Sequence, residues 1–335
     1  MSFEILLPYI FAALMGISIL LYVILDGYDL GVGLLFHRAT AEQKDRMIAS
    51  IGPFWDGNET WLVLAVGLLL VAFPVAHGTI LTSLYLPVFI LLIGLILRGI
   101  AFEFRHKVPA SRKGSWNAAF FMGSLMASLS QGFMLGLYIM GLDWTLTAVV
   151  FACLTAICLT MAYALIGSCW LIYKTEDALQ LASIRWAKTA VFGAIGGLVL
   201  VSLATPLVSD RLFDKWFGFP QTLYLAALPL ATAGLIGGLW LILRQVEGMA
   251  EQWSIVPLLL TAGIFTAGFG GMAYSFFPYI VPGKLTIAEA ASATNSLFIM
   301  LIGALAVLPV ILGYTALAYW IFRGKATALS YGEPK

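Results

Sequence analysis

Charge is what this sequence has least of. Only 10% of its 335 residues are Asp, Glu, Lys or Arg, while 61% are hydrophobic. A soluble globular domain carries about 25% charged residues, so that class is excluded and an integral membrane protein is indicated. Histidine is scarce too. His37 and His106 fall at the ends of apolar stretches and His77 in a short turn after Pro74, with no two spaced four apart. A membrane chain that ligates its own haem needs axial His or Met at membrane depth. Met126, Met134 and Met272 lie at such depth, but methionine there packs far more often than it ligates, so no haem and no metal is expected to bind through this chain. Cys153, Cys158 and Cys169 share one apolar stretch without Cys-x-x-Cys spacing, which leaves packing as their role. Phosphate-cradling glycine loops, nucleophile elbows and zinc signatures are absent. The net charge of +1 points to no particular partner, and no nucleic-acid partner is expected.

Long apolar runs are what the chain has instead. A spanning helix needs about 20 mainly apolar residues. Nine stretches qualify, at 6–36, 52–74, 79–102, 116–141, 144–173, 188–208, 222–243, 254–277 and 291–322. The fold class is therefore an all-α polytopic membrane protein with nine transmembrane helices, divided into residues 1–141 (spans one to four) and 142–335 (spans five to nine). Alternate connections hold fourteen of the eighteen Lys and Arg, among them Arg38, Lys44, Arg105, Lys113, Arg185, Arg323 and Lys335, against Arg211, Lys215 and Lys284 in the other set. Basic loops favour the cytoplasm, so the N-terminus is placed outside and the C-terminus inside. The N-terminal "MSFEILLPYIFAALMG" has no basic leader region and reads as a retained helix.

Intramembrane charge is confined to spans one to three, and ionisable groups at that depth are functional candidates. The first span carries Asp26 and Asp29 in "LDGYDLGVGLL"; the second opens with Asp56, Asn58 and Glu59 in "IGPFWDGNETWLV"; the third ends with Arg98 and Glu103 in "LRGIAFEFRHK". Three antiparallel helices thus bring these residues into one layer near the cytoplasmic surface. Desolvated carboxylates in such a layer suit proton movement, with Glu103 at the mouth and Asp56 further in. Each also has a purely structural reading: Asp56 serving the amino end of its own helix, Arg98 neutralising one acid as a buried pair. Gly27 with Gly31 and Gly234 with Gly238 have the small-xxx-small spacing of close helix packing, and Gln131 and Asn295 read as interhelical hydrogen-bonding residues.

These three motifs resemble subunit II, the small haem-free subunit, of the cytochrome bd family of quinol oxidases, and "AYALIGSCWLIYKTE" at 162–176 is most similar to its cyanide-insensitive branch. The resemblance implies two four-helix bundles plus a peripheral helix. It implies a heterodimer with a large subunit I holding two b-type haems and a d-type haem, which oxidises quinol and reduces oxygen to water with cytoplasmic protons. A small accessory subunit and a structural quinone accompany some members. The location implied is a bacterial inner membrane. Asp56 matches the family's proton-channel aspartate, with Glu103 at its mouth, and Asp26, Asp29, Asn58, Glu59 and Arg98 are assigned to the supporting polar network. Two other classes stay open on the residues alone: a secondary transporter or cation channel, whose internal repeats are not evident here, and a purely structural membrane subunit.

Overall fold

The computed structural model describes residues 3–208, 210–219, 221–248 and 251–326; Lys335, counted above with the basic connections, and residues 209 and 220 lie outside the described residues. Helix α1 runs over Phe3–Leu35 and is followed by α2, Ala41–Ile51. The connection expected between the first two spans is thus largely helical. Thr40 caps α2: its hydroxyl accepts from the Gln43 N–H while the Gln43 side chain accepts from the Thr40 N–H, a reciprocal pair that satisfies two otherwise orphaned donors. Across Gly52 to Phe54 the chain bends by 52° into α3, Trp55–Ala72, with Pro53 lacking the N–H that would continue the helix.

Helix α4, Pro74–Arg105, starts on a proline at its first position, where the missing N–H costs nothing. It departs from helical geometry at Leu84, just ahead of Pro87. Pro87 cannot bond the carbonyl four residues back, and the indole N–H of Trp144 takes that Ser83 carbonyl instead, at 2.8 Å. Antiparallel neighbours follow: α5, Lys113–Ile139; α6, Leu146–Lys174; and α7, Asp177–Val208. Two short helices, α8 (Asp210–Phe217) and α9 (Gln221–Leu225), lead to α10, Ala227–Gln245, and α11, Val256–Phe276. A two-stranded hairpin, β1 (Tyr279–Val281) and β2 (Leu285–Thr286), and the single turn α12 (Ile287–Ala290) precede α13, Thr294–Ile321. Among the described residues, eight helices are long and apolar enough to cross a membrane, and nine spans are reached when the bent α2/α3 pair is taken as one.

The tightest packing surrounds the second half of α1, which lies against α3, α5 and α6. A Cβ on Gly31 would stand 1.9 Å from the Tyr163 carbonyl oxygen, and one on Gly167 would stand 2.4 Å from the Gly31 carbonyl carbon. Backbones meet there because neither residue has a side chain. Gly94 of α4 and Gly123 of α5 make a second such crossing. The expected pair Gly234 and Gly238 does not: nothing lies near a Cβ on Gly234, and Gly238 meets only the tips of Leu260, at 3.8 Å. That spacing therefore marks no helix contact here.

The connections rich in Lys and Arg gather at one end of the bundle, called here the basic end. Arg105 pairs with Asp45 at 2.6 Å and Lys113 with the same Asp45 at 3.7 Å, while Lys188 reaches Glu247 at 3.5 Å and Lys325 reaches Glu251 at 3.9 Å. Arg105, expected in a loop, is buried in the last turn of α4 and also donates to Asn117 Oδ1 at 2.6 Å. Helix α13 is peripheral, with 6% of its most apolar window buried. Its ends hold it. Ser292 N–H and Oγ donate to the Ala72 and Val71 carbonyls at 2.8 and 2.7 Å, closing the end of α3, and at the basic end Tyr319 enters the interior.

Candidate functional site

Helix α1 presents Asp26 and Asp29 one turn apart, both with 0% exposure. Their carboxylates meet α3 and α4. Arg98 Nη2 donates to Asp26 Oδ1 at 2.6 Å and to Glu59 Oε1. Asn58 Nδ2 donates to Asp29 Oδ2 and to the Tyr28 hydroxyl, each at 2.8 Å, and lies 3.3 Å from the Leu25 carbonyl. One guanidinium thus faces three carboxylates, two of them fully buried. Asp26 Oδ2, Asp29 Oδ1, Arg98 Nε and Arg98 Nη1 are buried with no hydrogen-bond partner among the described residues. Buried pairs of this kind are held by geometry rather than by net Coulomb gain, and removing one partner strands the other. Five residues expected in one layer, Asp26, Asp29, Asn58, Glu59 and Arg98, therefore do converge.

Asp56 and Glu103 do not join them. Trp55 packs on Phe102 with ring centroids 4.9 Å apart, which sets Asp56 and Glu103, each one residue further on, at the same end of the α3/α4 pair. Both point outward. Asp56 is exposed, and Glu103, 54% exposed, pairs with Lys107 one turn later at 3.8 Å. The layer read from sequence is divided into a sealed cluster and an open pair, with Glu59, 26% exposed, at the seam.

Aromatic groups complete the cluster, and the tyrosines and Trp170 were not among the residues singled out from the sequence. The Tyr319 hydroxyl donates to Asn58 Oδ1 at 3.1 Å and touches the Tyr28 hydroxyl; Trp170 stacks on Tyr28 at 3.9 Å. Towards mid-membrane, Tyr22 lies beside Asp26. Gln131 bridges two helices there, donating to the Tyr22 hydroxyl at 2.7 Å and accepting from Tyr163 at 2.6 Å, as expected of an interhelical residue. Asn295, given the same role, is instead exposed in the first turn of α13. Hydropathy alone could not have found the tyrosines, because each reads as one more aromatic in an apolar run.

The histidines do not fit an axial haem pair. His37 Nδ1 is 2.8 Å from the Leu34 carbonyl at the end of α1, His77 lies in the first turn of α4, and His106 caps that helix at the basic end. Among the described residues no group of three His, Cys, Asp or Glu is placed to hold a metal ion.

Fold and cluster together define a class: polytopic helical membrane proteins that keep ionisable groups inside a helix bundle. The sequence profile of the family described as Cytochrome bd terminal oxidase subunit II matches residues 7–322. The chain belongs to that family. Cytochrome bd-I ubiquinol oxidase subunit 2 of Escherichia coli K12 is 26% identical, covering 96% of this chain and 95% of its own length. Cytochrome bd ubiquinol oxidase subunit 2 of Bacillus subtilis is 28% identical, covering 93% and 94%. A solved bd oxidase structure from Geobacillus thermodenitrificans superposes with a TM-score of 0.78 at 15% identity, over 94% of this chain and 98% of that one, a likeness of fold. The chain is thus a subunit of a terminal oxidase complex that includes a subunit I, and the transporter alternative has no support.

Proposed function

We propose that this chain is the haem-free subunit of a quinol:oxygen oxidoreductase of a bacterial inner membrane, scaffolding a haem-bearing subunit I. Family membership and the names of the two relatives, both ubiquinol oxidases, support that reading. In it, subunit I holds two b-type haems and a d-type haem and reduces oxygen to water. The basic end faces the cytoplasm, in line with the bias of Lys and Arg. The division at residue 141, a small accessory subunit, a structural quinone and the cyanide-insensitive branch belong to the same reading, supported by the resemblance alone.

This chain's own contribution is part of the proton-uptake path, with Glu103 at the mouth and Asp56 beyond it. The observation that carries this is where the two acids sit. Asp56 heads an exposed stripe of α3 that continues through Thr60, Val63 and Leu70, and Glu103 ends one on α4 that includes Phe89, Ile96 and Ile100. A carboxylate facing hydrocarbon costs about 2.5 kcal/mol or more, whereas the same face covered by subunit I turns both acids into interface groups. Glu59, three residues from Asp56 and bonded to Arg98, links that face to the supporting network of Asp26, Asp29 and Asn58.

Asp56→Asn in membranes supplied with a quinol donor tests the assignment. The expected outcome is a normal reduced-minus-oxidised haem spectrum with oxygen consumption lost. Full consumption removes Asp56 from the path, and loss of the haem bands makes it structural.

A further inference from the structure

At the basic end, the buried cluster lies under a cap. Lys174, the last residue of α6, is 3% exposed, yet its ammonium donates to main-chain oxygens, those of Phe322 and Gly324. It also rests over the rings of Phe54, Trp170 and Tyr173, at 5.3, 5.6 and 5.5 Å from their centroids. Three ring faces and the carbonyl end of α13 offset the cost of burying this cation.

The segment Phe322–Ala326 is strapped onto α6 by more than this lysine. Ala326 N–H donates to the Lys174 carbonyl at 2.7 Å, the Tyr173 hydroxyl to the Arg323 carbonyl at 2.9 Å, and Lys325 Nζ to the Thr175 carbonyl at 3.2 Å. Beneath the ammonium lies a box of rings. Phe54 is 4.6 Å from Tyr319 and 5.4 Å from Trp170, and Trp170 is stacked on Tyr28. The inner hydroxyls of that box, Tyr28 and Tyr319, are the ones that hold Asn58 against Asp29.

We infer that Lys174, Tyr319 and the strap Phe322–Ala326 form a cationic plug that closes the basic end of the acid cluster, so that its protons exchange sideways, past Glu59 towards the Asp56 face. A positive charge in a constriction raises the barrier to other cations, protons included, and among the described residues no hydrogen bond joins the Lys174 ammonium to the Tyr28 and Tyr319 hydroxyls behind it. The sideways direction rests on the proton-path reading above; the plug itself does not. Lys174 and Tyr319 are positioning residues in this scheme: they touch neither quinol nor oxygen.

The test treats the intact oxidase complex with a water-soluble carbodiimide and reads carboxyl modification by peptide mass spectrometry, with the haem spectrum as the check on assembly. In the unaltered complex, Asp26 and Asp29 are expected to react far more slowly than the exposed Glu176. Lys174→Met and Tyr319→Ala raise Asp29 modification several-fold, while Tyr319→Phe, which keeps the ring in the box, leaves it low. Lys325→Ala, a milder loosening of the strap, raises it by a smaller factor and serves where the stronger variants lose haem. Asp29 reacting as fast as Glu176 in the unaltered complex, or unchanged modification in Lys325→Ala and in any stronger variant that keeps its haem, overturns the plug. Turnover of Asp56→Asn is scored separately: if it stays normal the proton-path reading fails while the labelling still decides the plug, and if it is lost while labelling is unchanged the plug fails and the path stands.

Discussion

The inner and outer faces of α3 and α4 put their polar residues to opposite uses. Asn58 and Arg98, turned inward, are almost fully buried and bind Asp29, Asp26 and Glu59, whereas Asp56 and Glu103, turned outward, are exposed. Asp56 and Asn58 are two residues apart, which is about 200° around a helix. Rotation, more than depth, decides whether an acid here becomes part of a fixed network or stays available to a partner.

The comparison breaks most sharply at Arg98. Arg98→Met leaves the Asp26 carboxylate without its cation, and breaking a buried pair in this way costs about 3 to 5 kcal/mol. Membranes carrying it are expected to show little assembled haem. Lys107→Ala, which removes the exposed partner of Glu103, costs about 0 to 1 kcal/mol and leaves the spectrum unchanged. Equal losses from the two would erase the distinction between faces. A step down in size is Gln131→Leu, which leaves the buried hydroxyls of Tyr22 and Tyr163 without their shared partner at about 1 to 3 kcal/mol, read as a lower thermal midpoint of the purified complex. Smaller still is Ser292→Ala at the opposite end of α3, where a lost side-chain bond to the Val71 carbonyl costs about 1 kcal/mol. The smallest effect concerns His106, outside the spans. Partial burial, then Arg105 beside it, hold its pKa below the ordinary 6.5. The folded state therefore binds this proton less readily than the unfolded chain, so the stability the neutral ring provides is present above that pH and is lost as the pH falls below it. His106→Gln is expected to flatten that acid limb in a thermal-midpoint series.

Much of this was legible in the sequence. Apolar runs gave the spans, and charge confined to three of them gave the cluster, because hydrocarbon tolerates so few ionisable groups that their positions are informative. Rotation about α3 and α4 was not legible. Asp56 and Glu59, at i and i+3, look like one face, and only the packing of Asn58 and Trp61 inward shows that the face boundary runs between them. Contacts such as Tyr28 with Tyr319, 291 residues apart, leave no local periodic trace. The polar α2 was taken for loop because it is too short and too charged to register as a span, although its capping box stands in "TAEQ". Gly31 and Gly234 carry the same spacing motif, and only the facing Gly167 distinguishes them.

The fastening of α13 by its ends also has a consequence for biosynthesis. Asp26, Asp29, Asn58, Glu59 and Arg98 all leave the ribosome early, yet the hydroxyl that steadies Asn58 belongs to Tyr319. A nascent chain therefore carries an unfinished polar interior through the synthesis of some two hundred intervening residues, from Arg98 to Tyr319. Helix α13, bound weakly along its length, acts as a closing stitch that makes completion of the cluster a late event in synthesis.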